Sequence, residues 1–268
     1  MVKLIVASHR RSGTHLTIDA IINNLQIFKH SPAISKVTLD HLSAANQWDL
    51  TPEVLQRRID GKPAVLKTHA HGNIQAFFLG DEKVKSLVRK IFAESKIIYV
   101  HRDGRDVLVS LYYYEKNYDQ SLKQKTFSDY LKQPNSFDIQ TYPGEMDRVT
   151  YWVYHVSSWL QKSNIFVVSY DDLQNEYVAT LKKIADFIEE PLNAEIHDVR
   201  RQGHNNGLFT KLKGRLLNKM GKVKYSSIYF RKGVSGDWKN HFSAADLQFF
   251  EERASELNHS LGYATDHL

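Results

Sequence analysis

Two kinds of apolar pattern alternate along this chain. Short, nearly unbroken runs occur at Leu4-Ile5-Val6-Ala7, Ala64-Val65-Leu66, Lys96-Ile97-Ile98-Tyr99-Val100 and Ile165-Phe166-Val167-Val168-Ser169-Tyr170. Such runs read as strands buried on both faces, as in a parallel sheet. Between them apolar residues recur at helical spacing, most clearly over residues 103–116, 148–161, 179–189 and 244–257, with Ser243 placed to cap the last. Strand–helix alternation predicts an α/β fold, a central and mostly parallel sheet flanked by helices, with ligands bound beyond the carboxyl ends of the strands. Segments 117–147 and 200–229 have weaker periodicity and read as long loops with short helices. Neither an internal repeat nor a linker interrupts the 268 residues, so residues 1–268 are expected to form a single domain.

The first strand breaks into Ser8-His9-Arg10-Arg11-Ser12-Gly13-Thr14, and helical spacing resumes at Leu16, Ala20, Ile21 and Leu25. A helix N-terminus offers unpaired N–H groups and the positive end of its dipole. A loop of Ser, Gly, Thr and two arginines just before it suits a phosphate or phosphosulfate. It lacks the Gly-Lys pair of GxxxxGK[ST], so it is not a Walker A sequence. An ordinary strand–helix turn is the plain alternative.

Composition changes this picture in three ways. The chain has no cysteine, which excludes disulfides and thiolate metal sites and fits a reducing compartment. No stretch approaches the roughly 18 apolar residues that cross a bilayer. Arg10-Arg11 is followed by an amphipathic stretch containing Asp19, Asn23 and Asn24 rather than a uniformly apolar one, so it does not read as a twin-arginine export signal. A cytoplasmic location is expected. The net charge of +6 is also unevenly placed: segment 199–236 holds ten basic residues and no acid, leaving 26 basic against 30 acidic residues elsewhere. Such a block is a solvated surface or mobile loop, an anion-binding lid, or a patch for nucleic acid or membrane.

Anion-handling groups follow the second and third strands as well. Lys67-Thr68-His69-Ala70-His71 ends one, and Val100-His101-Arg102-Asp103-Gly104-Arg105-Asp106 ends the other, with Ser110 two turns into the following helix. Arg102 and Ser110 can offer one phosphate a guanidinium fork and a hydroxyl, although a salt-bridged Arg and a buried Ser would look the same. Near the C-terminus, Arg231-Lys232-Gly233-Val234-Ser235-Gly236-Asp237-Trp238-Lys239-Asn240 is a basic loop punctuated by glycine.

In that order, these four segments resemble the cytosolic-type sulfotransferase family, which uses 3′-phosphoadenosine 5′-phosphosulfate (PAPS) and releases PAP. Arg11-Ser12-Gly13-Thr14 looks like its 5′-phosphosulfate loop, Arg102 to Ser110 its 3′-phosphate strand–helix, and Arg231 to Asn240 its RKGxxGDWKN signature. The resemblance covers roughly residues 3–258 and implies a P-loop-like nucleotide-binding fold and in-line sulfuryl transfer without a metal. It implies His69 as the catalytic base of the KTH segment, with Lys67 and Arg11 stabilising the leaving group. Arg11, Ser12, Gly13, Thr14, His15, Arg102, Ser110, Tyr170, Arg231, Lys232 and Gly233 would bind the cofactor. Two departures stand out: Arg11 replaces a frequent Lys, and Leu16 replaces a Trp that stacks on adenine. Tyr170, in a segment like the family's SYEDL, would contact adenine or simply pack at the core edge.

The acceptor is left open by the sequence. Tyr112, Tyr113, Tyr114, Tyr118, Tyr142, Trp152, Tyr154 and Trp159 supply aromatic surface for an apolar pocket or for the core, and His71 stands close enough to His69 to line such a pocket. A small-molecule hydroxyl or amine is the expected acceptor, with an acidic or polymeric one as the alternative; nucleic acid is not expected, and the oligomeric state is unspecified. Two other classes share parts of the pattern. A nucleotide-dependent kinase would need a Gly-Lys loop and a magnesium carboxylate, and a binder of nucleic acid or sulfated polymer would show steep salt dependence without turnover.

Overall fold

Five parallel strands in the order β2-β3-β1-β4-β5 form the sheet of this protein in the computed structural model, which describes residues 3–29, 34–42, 50–78, 81–134, 146–200 and 233–264. They are β1 (Lys3–Ser8), β2 (Ile34–Thr38), β3 (Ala64–Thr68), β4 (Lys96–His101) and β5 (Ile165–Ser169). Four match the apolar runs. β2 does not, because Ile34-Ser35-Lys36-Val37-Thr38 interleaves polar residues and its register on β3 shifts between Ser35 and Val37, as suits an edge strand. Tyr170, expected at the end of the last strand, instead opens a helix whose N-cap is Ser169.

Ten α-helices cover the sheet among the described residues. They are α1 (Thr14–Asn24), α2 (Pro52–Ile59), α3 (Ile74–Phe77), α4 (Glu82–Ala93), α5 (Gly104–Glu115), α6 (Phe127–Lys132), α7 (Arg148–Leu160), α8 (Tyr170–Asn175), α9 (Tyr177–Ile188) and α10 (Ala244–Ser260). Ser243 does cap α10, through a capping box with Asp246. The described part of segment 117–147 holds the 3₁₀ turn Gln120–Gln124 and α6, as its weak periodicity predicted. Most of segment 200–229 lies outside the described residues.

Because successive strand residues face opposite ways, each strand feeds two cores. Ile5, Ala7, Leu66 and Tyr99 pack under α2, α4, α5, α7 and α10, whereas Leu4, Val6, Val65, Ile98 and Val100 pack under α1 and α9. Strand β1 is central. From it the chain passes to β2 and β3 on one side and to β4 and β5 on the other. That reversal opens a crevice at the carboxyl end of β1, the place where such sheets bind ligands.

One glycine fixes how the turn after β3 meets α7. A Cβ on Gly72 would stand 2.1 Å from the Ser158 carbonyl oxygen, while the Gly72 N–H donates to Ser158 Oγ at 2.7 Å. Backbone on backbone leaves no flexible side chain to yield. Gly72→Ala should therefore cost about 1–3 kcal/mol, read as a lower urea midpoint at unchanged slope, and wild-type stability in that variant would contradict the close approach.

Candidate active site at the carboxyl edge of the sheet

Register places the ends of β1, β3 and β4 side by side, with Ala7 opposite both Thr68 and Tyr99. From β1 the chain makes a tight loop into α1. Arg11 holds φ of 69° and Gly13 φ of 104°, the left-handed region that Gly tolerates and Arg adopts at a cost. A Cβ on Gly13 would lie 2.5 Å from Tyr170 Cδ2, so the loop can lie against that ring only with glycine there. Ser8 and Thr14 close the loop through a hydroxyl pair at 2.5 Å.

His69, just past β3, stands against this loop. Its Nδ1 lies 3.0 Å from the Ser8 carbonyl oxygen, which only accepts, so Nδ1 carries the proton and Nε2 keeps its lone pair. Burial among the strand ends pushes its pKa well below 6.5, and the Lys67 and Arg10 cations push it further the same way. The ring is therefore a neutral base at neutral pH. Lys67 Nζ reaches to 3.5 Å from Nε2 of His15, in the first turn of α1.

The end of β4 brings a second cation cluster. Arg102 donates through Nη2 to the Val234 carbonyl at 2.7 Å, lies 3.5 Å from Asp106, and places its guanidinium 4.5 Å from the centre of the Tyr170 ring. Asp106 in turn accepts the N–H groups of Gly236 and Trp238 at 2.7 and 3.0 Å, tying the glycine-punctuated loop to α5. Arg11 crosses to this cluster: its Nε donates to Ser110 Oγ at 3.1 Å, and its guanidinium lies over Tyr114. Ser12 Oγ and Arg102 Nε are buried without a hydrogen-bond partner. Buried polar groups are rarely left so, and a multiply charged anion in the crevice would satisfy both.

Of the sequence candidates, Arg11, Ser12, Gly13, Thr14, His15, Lys67, His69, Arg102, Ser110 and Tyr170 thus meet around one crevice. Gly233 has φ of 69° in the neighbouring loop, and Arg231 and Lys232 lie outside the described residues. Leu16 is buried in the core under α1 and offers no stacking face. Several aromatic candidates for an acceptor pocket are core instead: Trp152 and Trp159 are fully buried, and Tyr112 packs with Leu111, Leu122 and Tyr130. Tyr154 packs edge-on against the buried His71, Tyr113 and Tyr118 are exposed, and Tyr142 lies outside the described residues. Sequence reasoning missed Asp40 and His155, which hold the His69 turn, because neither sits in a motif. Among the described residues no group of three or more His, Asp or Glu converges as a metal site, and no helix is long and apolar enough to cross a membrane.

The chain belongs to the sulfotransferase family: the pattern of the Sulfotransferase domain matches residues 2–262. It is 28% identical to Sulfotransferase 2B1 of Mus musculus over 180 residues, 63% of this chain and about half (49%) of that protein. It is 27% identical to Sulfotransferase 2A1 of Rattus norvegicus over 259 residues, 93% of this chain and 82% of that one. The fold is similar to that of the mouse sulfotransferase SULT7A1 complexed with PAP, with a TM-score of 0.67 at 20% identity, covering 98% of this chain and 89% of that one. A retinol dehydratase in complex with androsterone and inactive cofactor PAP is similar at a TM-score of 0.54 and 18% identity, over 99% of this chain and 82% of the other.

Burial of histidines has a consequence for stability. His69 and His155 are pushed well below 6.5 and His101 to about 4, in each case chiefly by burial. An unfolded chain takes these protons below pH 6.5 while the folded one refuses them, so stability present above pH 6.5 is lost as pH falls toward 4. His101 alone accounts for about 3 kcal/mol of that loss at full expression. Urea midpoints should fall from pH 7 to 4.5, and less steeply in His101→Asn; parallel slopes for the two proteins would refute this.

Proposed function

We propose that this protein is a PAPS-dependent sulfotransferase, acting on a hydroxyl or amine of a small-molecule acceptor in the cytoplasm, with His69 as general base. The observation that carries the reading is the pair of buried, unpartnered polar atoms, Ser12 Oγ and Arg102 Nε, on the loops after β1 and β4, which the Tyr170 ring brings together. Two anionic groups of one nucleotide suit that division. The Ser12-Gly13-Thr14 loop and the α1 N-terminus would hold the 5′ end, and Arg102 with Ser110 the 3′-phosphate, with Arg231, Lys232 and Gly233 proposed beside them.

PAPS, when bound, supplies the sulfuryl group and a leaving phosphate. The remaining chemistry falls to the chain's own residues. His69 Nε2, the unprotonated nitrogen, takes the proton of the acceptor, and Ser8 accepts from Nδ1 so that the imidazolium formed keeps its orientation. Lys67 and Arg11 face the charge that builds on the leaving side, and His15 contributes a second ring beside Lys67. Lys67 also keeps His69 neutral beforehand. The acceptor side is proposed to lie toward His71, two residues beyond His69, and the Tyr154 ring that packs against it. Arg11, Lys67 and Arg102 gather at one crevice, which suits a single small anion better than a nucleic-acid strand.

Four measurements test the reading. Adenosine 3′,5′-bisphosphate at about one hundred times its Kd should stabilise the fold by roughly 2.7 kcal/mol without added metal, and stabilisation by ATP with magnesium alone would overturn it. Arg102→Ala should weaken binding of the bisphosphate far more than of adenosine 5′-phosphate; equal losses would show that Arg102 does not read the 3′-phosphate.

His69→Ala should keep nucleotide affinity while single-turnover transfer falls by roughly two to four orders of magnitude. Lys67→Met should also move the acid limb of kcat/KM to higher pH, since one of the cations holding His69 deprotonated is gone. A normal rate in His69→Ala, or an unmoved limb in Lys67→Met, would remove those assignments.

A further inference from the structure

The turn that carries His69 is gripped from both sides by groups outside the nucleotide crevice. Asp40 lies on the 3₁₀ turn Leu39–Leu42 that follows edge strand β2. Its Oδ1 accepts the Thr68 hydroxyl at 2.6 Å and its Oδ2 accepts the His69 N–H at 2.9 Å, while the same Thr68 hydroxyl accepts the Ala70 N–H at 3.0 Å. From the other side, His155 Nε2 donates to the His69 carbonyl at 3.1 Å, and Trp159 Nε1 donates to the Ala70 carbonyl at 2.9 Å. Both backbone groups of His69 are thereby tied, and the ring is delivered to the Ser8 carbonyl.

The two grips differ in charge. His155 is neutral, since burial holds its pKa well below 6.5. Asp40 is a carboxylate set against Arg10 and Lys67; burial raises its pKa, while the two hydrogen bonds and the two cations oppose that rise. Around the His69 ring stand Lys67 of β3, Arg10 of the first loop and His15 of α1, all cationic or able to become so, with His155 of α7 beneath its carbonyl. Asp40 is the acid bonded to this turn.

We propose that Asp40 is a positioning residue for His69: by clamping the Thr68 hydroxyl and the His69 amide it fixes the ring against the Ser8 carbonyl, and its charge offsets Arg10 and Lys67. It acts through His69, and it rests on the reading of His69 as the general base. Its effect should appear in the rate and in the state of the ring more than in the hold on nucleotide, because the Thr68 hydroxyl and the His69 amide direct it to the turn after β3.

The experiment compares the full chain with Asp40→Asn and Asp40→Ala by long-range ¹⁵N histidine spectra, the His69 signals being assigned by their loss in His69→Gln. Wild-type His69 should show the Nδ1–H tautomer at neutral pH. Asp40→Ala should give a tautomer mixture and lower kcat by ~tenfold or more with the Kd for adenosine 3′,5′-bisphosphate within about twofold. Asp40→Asn, whose amide oxygen can still accept the His69 N–H, should retain the tautomer and part of the rate. Its acid limb of kcat/KM should move to lower pH, because the carboxylate charge that offsets Arg10 and Lys67 is then removed. An unchanged tautomer in Asp40→Ala, or a loss of rate tracking a loss of nucleotide affinity, would overturn the proposal. If Asp40→Ala does not fold, Asp40→Asn decides, and an unmoved acid limb there would overturn it. A wild-type chain that neither binds the bisphosphate nor transfers sulfate would defeat the sulfotransferase reading instead, while the tautomer comparison would still judge Asp40.

Discussion

The hydrogen bond from His69 Nδ1 to the Ser8 carbonyl joins the ends of two neighbouring strands, and the arrangement of the crevice depends on it. It needs β3 in register beside β1, so that Thr68 lies opposite Ala7 and the next residues, His69 and Ser8, meet. It also needs Ser8 to be the last residue before the loop, where its hydroxyl meets Thr14 and sets the start of α1. A one-residue slip in that pairing would turn Lys67 and every core residue of β3 to the wrong face. The register that buries Leu66 and Val65 is therefore the same register that places His69.

Electrostatics explain why so many cations tolerate one another here. Arg10, Arg11, Lys67 and Arg102 lie about a crevice whose nearby acids divide their charge: Asp40 holds the His69 turn and offsets Arg10 and Lys67, Asp106 lies 3.5 Å from Arg102 and binds backbone N–H groups of the Gly236–Trp238 loop, and Asp103 pairs with Arg105. The result is an excess of positive charge and two unpartnered buried polar atoms. Such an arrangement costs stability in the free protein and is offset when a multiply charged anion enters, which is the usual trade at a preorganised anion site.

Much of this was legible beforehand. The apolar runs marked four strands; β1, β3 and β4 are mostly buried, as unbroken hydrophobic sequence implies, whereas β5 carries such a run although it is an edge strand only partly covered. β2, at the other edge, escaped notice because polar residues interrupt its sequence. Tyr170 was read into β5 because an aromatic residue suits a strand end, whereas the Ser169 side chain, capping the next turn through the Asp171 N–H, started a helix there. Trp152 and Trp159 looked available to line a pocket, but α7 turns both into the core.

By itself the sequence determined the α/β order, the anion-handling loops, the family and the identity of the candidate base, because each is written in local residue types and their spacing. Only the tertiary structure decided the tautomer of His69, the crossing of Arg11 to Ser110, the stacking of Arg102 on Tyr170 and the grip of Asp40 and His155 on the His69 turn. Those contacts join residues from 28 to 99 positions apart in the chain. No local pattern encodes them, since they arise from strand register and helix packing, which bring distant segments within the 3 Å or so that a hydrogen bond requires.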